Sequence, residues 1–219
     1  SRRWDLLTRL GNVTPEFLIE SLESEDYRLL PFGLRSAVPQ LFAQWEQFHD
    51  ILEIERQLDD LLFSEMLKLA AKLERKGIVE WVRGRIDAEN VRNLLRLRRM
   101  QVENSRIAGF LHDGGIISVE RLLSLTGEPL ESWGRLLAYT DLTGALSQLQ
   151  EISDFDRLIV DVEKALDDYV LRIVEQTRFS STSPEYVLYY LWLKEMEAEN
   201  VRIILVGKAN GASRDVLRG

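Results

Sequence analysis

Apolar residues in this chain return every three or four positions. Leu158, Val162, Leu166, Tyr169 and Ile173 keep that register, as do Val187, Leu191, Ala198, Val201 and Leu205, with Lys194 the polar member of the second series. Such spacing lines one face of an α-helix, whereas a strand would alternate at every second residue. No stretch sustains that alternation, so the pattern predicts an all-α fold without a sheet.

Helix boundaries are marked as well. Thr14-Pro15-Glu16 and Ser183-Pro184-Glu185 each place a capping hydroxyl before a proline at the first helical position, with an acid in the first turn. Stops are expected at Gly77, at Gly114-Gly115, at Gly127-Glu128-Pro129, and at Gly207 with Gly211, where an αL cap or loop needs no Cβ. Pro31, Gly33 and Pro39 predict a short break between the first helix and a long helical run from Gln40.

The chain also repeats itself. Asp87-Ala88-Glu89-Asn90-Val91-Arg92 returns as Glu197-Ala198-Glu199-Asn200-Val201-Arg202, 110 positions later. Leu58-Asp59-Asp60 answers to Leu166-Asp167-Asp168 at an offset of 108, and the segment Gly11 to Leu18 answers to Gly115 to Leu122 at 104. The order is preserved, so two homologous units are expected, residues 1–110 and 111–219, with about four to five helices each.

The repeated Glu-Asn-Val-Arg carries a local argument of its own. Glu89 and Arg92, like Glu199 and Arg202, stand one turn apart, which allows an intrahelical ion pair. Asparagine is a mediocre helix former, so Asn90 and Asn200 recurring in mid-helix predict an amide bonded to a neighbouring helix end or loop backbone. These six residues are read as structural anchors.

Composition narrows the chemistry. Hydrophobic residues make up 45% and charged residues 29% of the 219, with only five prolines, which is globular composition. Cysteine is absent, which excludes disulfides, thiolate chemistry and Cys-bound metal and fits a reducing, cytoplasmic setting. The densest apolar stretch, Val187 to Leu193, is too short to span a bilayer, so membrane contact is expected to be peripheral. A net charge of −8 repels nucleic-acid phosphates. The local exception, Arg83, Arg85, Arg92, Arg96, Arg98 and Arg99, lacks interleaved aromatics and reads as a solvated face or protein contact.

Catalytic signatures are thin. His49 and His112 are the two histidines, too few for a His-rich zinc site. Glu46-x-x-His49 has the spacing with which helix bundles hold di-iron, but the second unit has no histidine at the equivalent place. Gly207-Lys208 lacks the upstream glycine and the following Ser or Thr of a phosphate loop and reads as a helix C-terminus. No cofactor or metal is expected. Trp45, Trp81, Trp133 and Trp192 read as core.

Asp87-Ala-Glu-Asn-Val-Arg-Asn-Leu-Leu95, with Glu197-Ala-Glu-Asn-Val-Arg-Ile-Ile-Leu-Val-Gly-Lys-Ala-Asn-Gly211, resembles the recurring Glu-x-x-Asn-x-Arg and Gly-Lys-x-x-Gly signature of a known family. That family is the C subunit of V-type and archaeal A-type ATP synthases, known in eukaryotes as the d subunit. The resemblance implies helical units around a pseudo-threefold axis, forming a funnel. It also implies that a first unit is missing here or contributes only its last helix. The function it implies is non-catalytic: a central-stalk coupling subunit that takes the end of the rotor shaft and rests on the membrane rotor ring during proton or sodium transport. Arg96, Arg98 and Arg99, with Lys208 and Arg214 at the equivalent place in the second unit, are candidate contacts to acidic partners. Two other readings remain open: a helix-bundle carboxylate metalloenzyme around Glu46 and His49, and an unrelated all-α scaffold or adaptor.

Overall fold

The computed structural model describes residues 9, 11–31, 33–137, 140, 142–146, 155–176, 178–179 and 182–211, and among these every regular element is helical. Arg214 and the side chain of Leu158 lie outside the described residues. The helices are α1 (Pro15–Ser24), α2 (Leu34–Phe48), α3 (Ile51–Lys72), α4 (Lys76–Arg99), α5 (Asn104–Ile107), α6 (Val119–Ser124), α7 (Leu130–Leu136), α8 (Thr143–Leu146), α9 (Phe155–Glu175) and α10 (Pro184–Ala209). The fold class expected from the hydrophobic period is therefore the one observed. Among the described residues no helix is long and apolar enough to cross a membrane.

By backbone proximity the chain divides into two compact units, residues 1–69 and 70–219. The first holds α1, α2 and most of α3. Thr14 caps α1 by accepting a hydrogen bond from the Phe17 N–H at 3.3 Å, with Pro15 at the first helical position. α2 begins at Leu34, earlier than the prolines suggest, after Gly33 turns the chain at φ 75°. Pro39 therefore lies inside the helix. Its missing N–H forgoes a bond to the Arg35 carbonyl, and Arg35 is exposed, so water can satisfy that oxygen. The long run from Gln40 is broken at His49, which adopts αL at φ 54°, and the Asp50 carboxylate then caps α3 by accepting from the N–H groups of Leu52 and Glu53.

The second unit is built around α4. Its buried residues surround the helix axis rather than lining one stripe: Ile86, Ala88 and Val91 are wholly inaccessible, and Leu94 and Leu95 are nearly so. α4 packs chiefly on α9, which also meets α8 and α10. Gly84 permits the close crossing of α4 and α9, since a Cβ there would stand 2.2 Å from Ile173 Cδ1. Gly77, expected as a stop, is instead the second residue of α4. The break lies just before it, where Glu74 takes the αL conformation at φ 52°. Space is tight there, since a Cβ on Gly77 would sit 3.0 Å from Glu185 Cγ.

Glu185 joins the starts of two helices. Its oxygens accept a paired bond at 3.0 Å each from Arg75, which precedes α4, while Ser183 caps α10 through the Tyr186 N–H at 3.2 Å. The Arg75 hydrogen bond holds the Glu185 carboxyl below its ordinary pKa. Gly207 lies within α10, and the helix stops at Asn210 with Gly211 at φ 77°, because the αL position falls there. Trp81, Trp133 and Trp192 are buried, whereas Trp45 is 37% exposed on α2, where its ring lies 5.1 Å from that of His49.

Candidate functional site

One face of α4 holds an irregular segment in place by side-chain bonds. Arg83, Asp87, Asn90 and Asn93 follow one another at intervals of four, three and three, so they form a row along the helix. Asn90 is wholly buried. Its amide nitrogen donates to the His112 carbonyl at 2.8 Å and its oxygen accepts from the His112 N–H at 2.7 Å, as a paired strand would. Asn93 donates to the Phe110 carbonyl at 3.1 Å, and Arg83 donates twice to the Gly115 carbonyl, at 2.8 and 3.2 Å.

Asp87 completes the row. Its two oxygens accept the Ile116 and Ile117 N–H groups, each at 3.0 Å. Residues 111–117 thus run without regular helix alongside α4, with Leu111, His112 and Ile117 buried and Asp113, Gly114 and Ile116 exposed, while the backbone groups of His112, Gly115, Ile116 and Ile117 find partners on α4. Gly115 is required at the tightest point, since a Cβ there would lie 2.2 Å from Asp87 Oδ1. Burial pushes the Asp87 carboxyl up to about 7, against the opposing pull of the two backbone donors and the Arg83 charge.

A second row of contacts on α4 is ionic. Arg92 pairs with Glu89 at 3.3 Å on its own helix and with Asp167 on α9, and Arg96 pairs with Glu163 at 2.9 Å. Asp167 is raised from its ordinary pKa because burial outweighs the Arg92 charge and hydrogen bond. Arg98 donates to the Glu128 carbonyl at 2.6 Å and lies 6.0 Å from the Trp133 ring centre. The Arg85 guanidinium lies 5.2 Å from the ring centres of both Trp81 and Trp192, which meet edge-on, and burial lowers its pKa. Much of the basic run is thus engaged within the unit.

The second copy of the motif stands in different surroundings. Glu199, Asn200 and Arg202 are exposed, with a 3.5 Å ion pair between Glu199 and Arg202. Lys208 is exposed in the last turn of α10, and Arg99 is exposed at the end of α4. Glu46 and His49 are both exposed, and among the described residues no three His, Asp or Glu side chains gather as a metal site would require.

Sequence reasoning singles out Asn90, Glu89 and Arg92, reads Arg83 only as part of a solvated basic face or protein contact, whereas it donates to the Gly115 carbonyl, and gives no role to Asp87 or Asn93. The available signal is four polar residues in one helical row on a segment otherwise dense in Ile, Val and Leu, which predicts a polar load inside a core.

Residues 1–219 match the family described as ATP synthase (C/AC39) subunit. The chain is 24% identical to the C subunit of the V-type sodium ATPase of Enterococcus hirae over 212 residues, covering 95% of this chain and 63% of that protein. It is 26% identical to the C subunit of the A-type ATP synthase of Haloferax volcanii over 183 residues, 80% of this chain and 51% of the relative. With the corresponding A-type ATP synthase protein of Thermococcus gammatolerans the identity is 29% over 167 residues, 74% and 44% of the two chains. The chain thus spans less than two thirds of the length of these relatives. No solved structure gives a significant match. With the family match running from the first residue to the last, the protein belongs to the ATP synthase (C/AC39) subunit family.

Proposed function

We propose that this chain acts as a non-catalytic coupling subunit of a rotary V/A-type ATPase, joining the rotor shaft to the membrane rotor ring in proton or sodium transport. The observation that carries the reading is the family match across all 219 residues. The names of the relatives support it, each being the C subunit of a V- or A-type complex. So does the construction of the second unit. A protein that transmits torque needs connections that do not slide, and α4 holds its neighbouring loop by directional hydrogen bonds and charge pairs as well as by apolar contact.

The role is peripheral to the membrane. Contact with acidic partner surfaces would fall to Arg96, Arg99 and Lys208, which are exposed, and to the partly exposed Arg98. The two homologous units, residues 1–110 and 111–219, would each contribute an anchor helix to the assembly.

Affinity capture of the folded chain with purified shaft and ring proteins from the same source tests the reading. Binding to at least one of them is expected, weakening as salt rises, and weakening further with Arg99→Glu plus Lys208→Glu. A folded chain that captures neither at low salt would overturn the proposal. The metalloenzyme reading finds no support in the exposed positions of Glu46 and His49.

A further inference from the structure

Beyond the row that clamps the Gly115 loop, α4 ends beside a cavity of about 190 Å³. Its floor is apolar, formed by Leu94, Ile107 and Trp133, all of them buried. Its rim carries Arg98, Gln101 and Asn104. Arg98 commits one nitrogen, Nη1, to the Glu128 carbonyl, and its guanidinium carbon lies 6.0 Å from the Trp133 ring centre. Among the described residues, the Nε and Nη2 of Arg98 and the side-chain amides of Gln101 and Asn104 have no hydrogen-bond partner.

The internal repeat supplies a second observation. Gln101 and Gly211 are equivalent, 110 positions apart, and both end their helix in the αL conformation, at φ 54° and 77°. Each N–H makes the same bond at 3.1 Å, to the Arg98 carbonyl in one copy and to the Lys208 carbonyl in the other. Glycine enters αL freely, whereas a residue with a Cβ is strained there. The first copy keeps a glutamine at this position, and its side chain stands on the rim of the cavity. Use of that side chain accounts for the strain.

We propose that this cavity binds a small carboxylate that bears one apolar ring. Nε and Nη2 form the edge of a guanidinium that meets both oxygens of a carboxylate, and this chain uses that edge twice already: Arg28 on Asp26, at 2.9 and 2.7 Å, and Arg75 on Glu185, at 3.0 Å each. On Arg98 the same edge is open. The amides of Gln101 and Asn104 donate to the remaining lone pairs of the bound carboxylate, and its ring rests on Leu94, Ile107 and Trp133. A dry cavity of about 150 Å³ holds benzene, so the volume here suits a single ring with its carboxylate. The net charge of −8 opposes loose binding of an anion elsewhere on the chain, so recognition depends on the local guanidinium.

Titration of the isotope-labelled 219-residue chain with benzoate tests the inference, followed by NMR through the indole N–H resonances of its five tryptophans. The Trp133 resonance, identified by its loss in Trp133→Phe, is expected to shift saturably with a dissociation constant in the millimolar range or tighter. Benzyl alcohol, which keeps the ring without the charge, and acetate, which keeps the charge without the ring, are each expected to bind at least about tenfold more weakly. Arg98→Gln is expected to weaken benzoate to the same degree, with unchanged helical circular dichroism verifying its fold. Gln101→Gly separates binding from folding. It should weaken benzoate at least about threefold while the melting midpoint stays the same or rises, because glycine relieves the αL turn. The absence of a saturable shift at Trp133 overturns the proposal. So does equal binding of benzoate and benzyl alcohol by the unaltered chain, a comparison that depends on no variant.

Discussion

Asn90→Leu isolates the contribution of the loop clamp. Asn90 has no exposed surface, and its amide makes two bonds with the backbone of His112, at 2.8 and 2.7 Å. Leucine is close in size but can neither donate nor accept. The substitution therefore leaves the His112 N–H and C=O buried without those partners, and each orphaned group costs about 1–3 kcal/mol. Part of that is recovered by burying an apolar side chain, so a net loss of about 3 kcal/mol is expected. For a unit of this size, that corresponds to a melting midpoint lower by about 6–12 °C. Asn200→Leu is the control. The same substitution at the same place in the repeat, but on an exposed residue, should change stability by no more than about 0.5 kcal/mol in dilute solution. Urea denaturation followed by circular dichroism and tryptophan fluorescence reads both variants. A loss at position 90 below about 0.5 kcal/mol, or equal losses at the two positions, would refute the reasoning.

Asp87 makes stability depend on pH. Its pKa in the folded protein is raised to about 7 by burial, so the folded state favours the protonated acid. The stabilising contribution is present below the ordinary carboxylate range and is lost as pH rises through about 7. The melting midpoint of the protein relative to its Asp87→Asn variant should accordingly fall between about pH 4 and about pH 7.5, and a constant difference would count against the assignment. Gly115→Ala brings a methyl within 2.2 Å of a carboxylate oxygen tied by backbone donors, so a loss of about 1–3 kcal/mol is expected on urea denaturation, and none if the loop shifts freely. Ser183→Ala removes the cap of α10 and should cost about 1 kcal/mol, read in the same way.

The legible part of the fold rests on short-range chemistry. The Thr14-Pro15 and Ser183-Pro184 starts can be read because a cap, its proline and the donor it satisfies all lie within four residues. Pro39 and Gly77 read as breaks from local preference alone. Pro39 is carried inside α2 where solvent can reach the freed carbonyl, and Gly77 lies in α4 close against Glu185, 108 positions later. The row on α4 is half visible. Asn90 stands out as an asparagine in mid-helix, but Asp87, Arg83 and Asn93 acquire a purpose only when residues 110–117 lie against them.

Residue order alone establishes the helical class, several helix starts, the internal repeat and, through the match along the whole length, the family. These follow from periodicity and identity, which can be read without knowing which distant segments meet. What each copy of the repeated motif does is set by packing. Identical residues at Ala88–Arg92 and Ala198–Arg202 have opposite surroundings, since α9 and the Gly115 loop cover the first and leave the second open. Burial, the raised pKa of Asp87 and the need for glycine at position 115 all arise from atoms brought close by folding, and no window of sequence around those residues contains them.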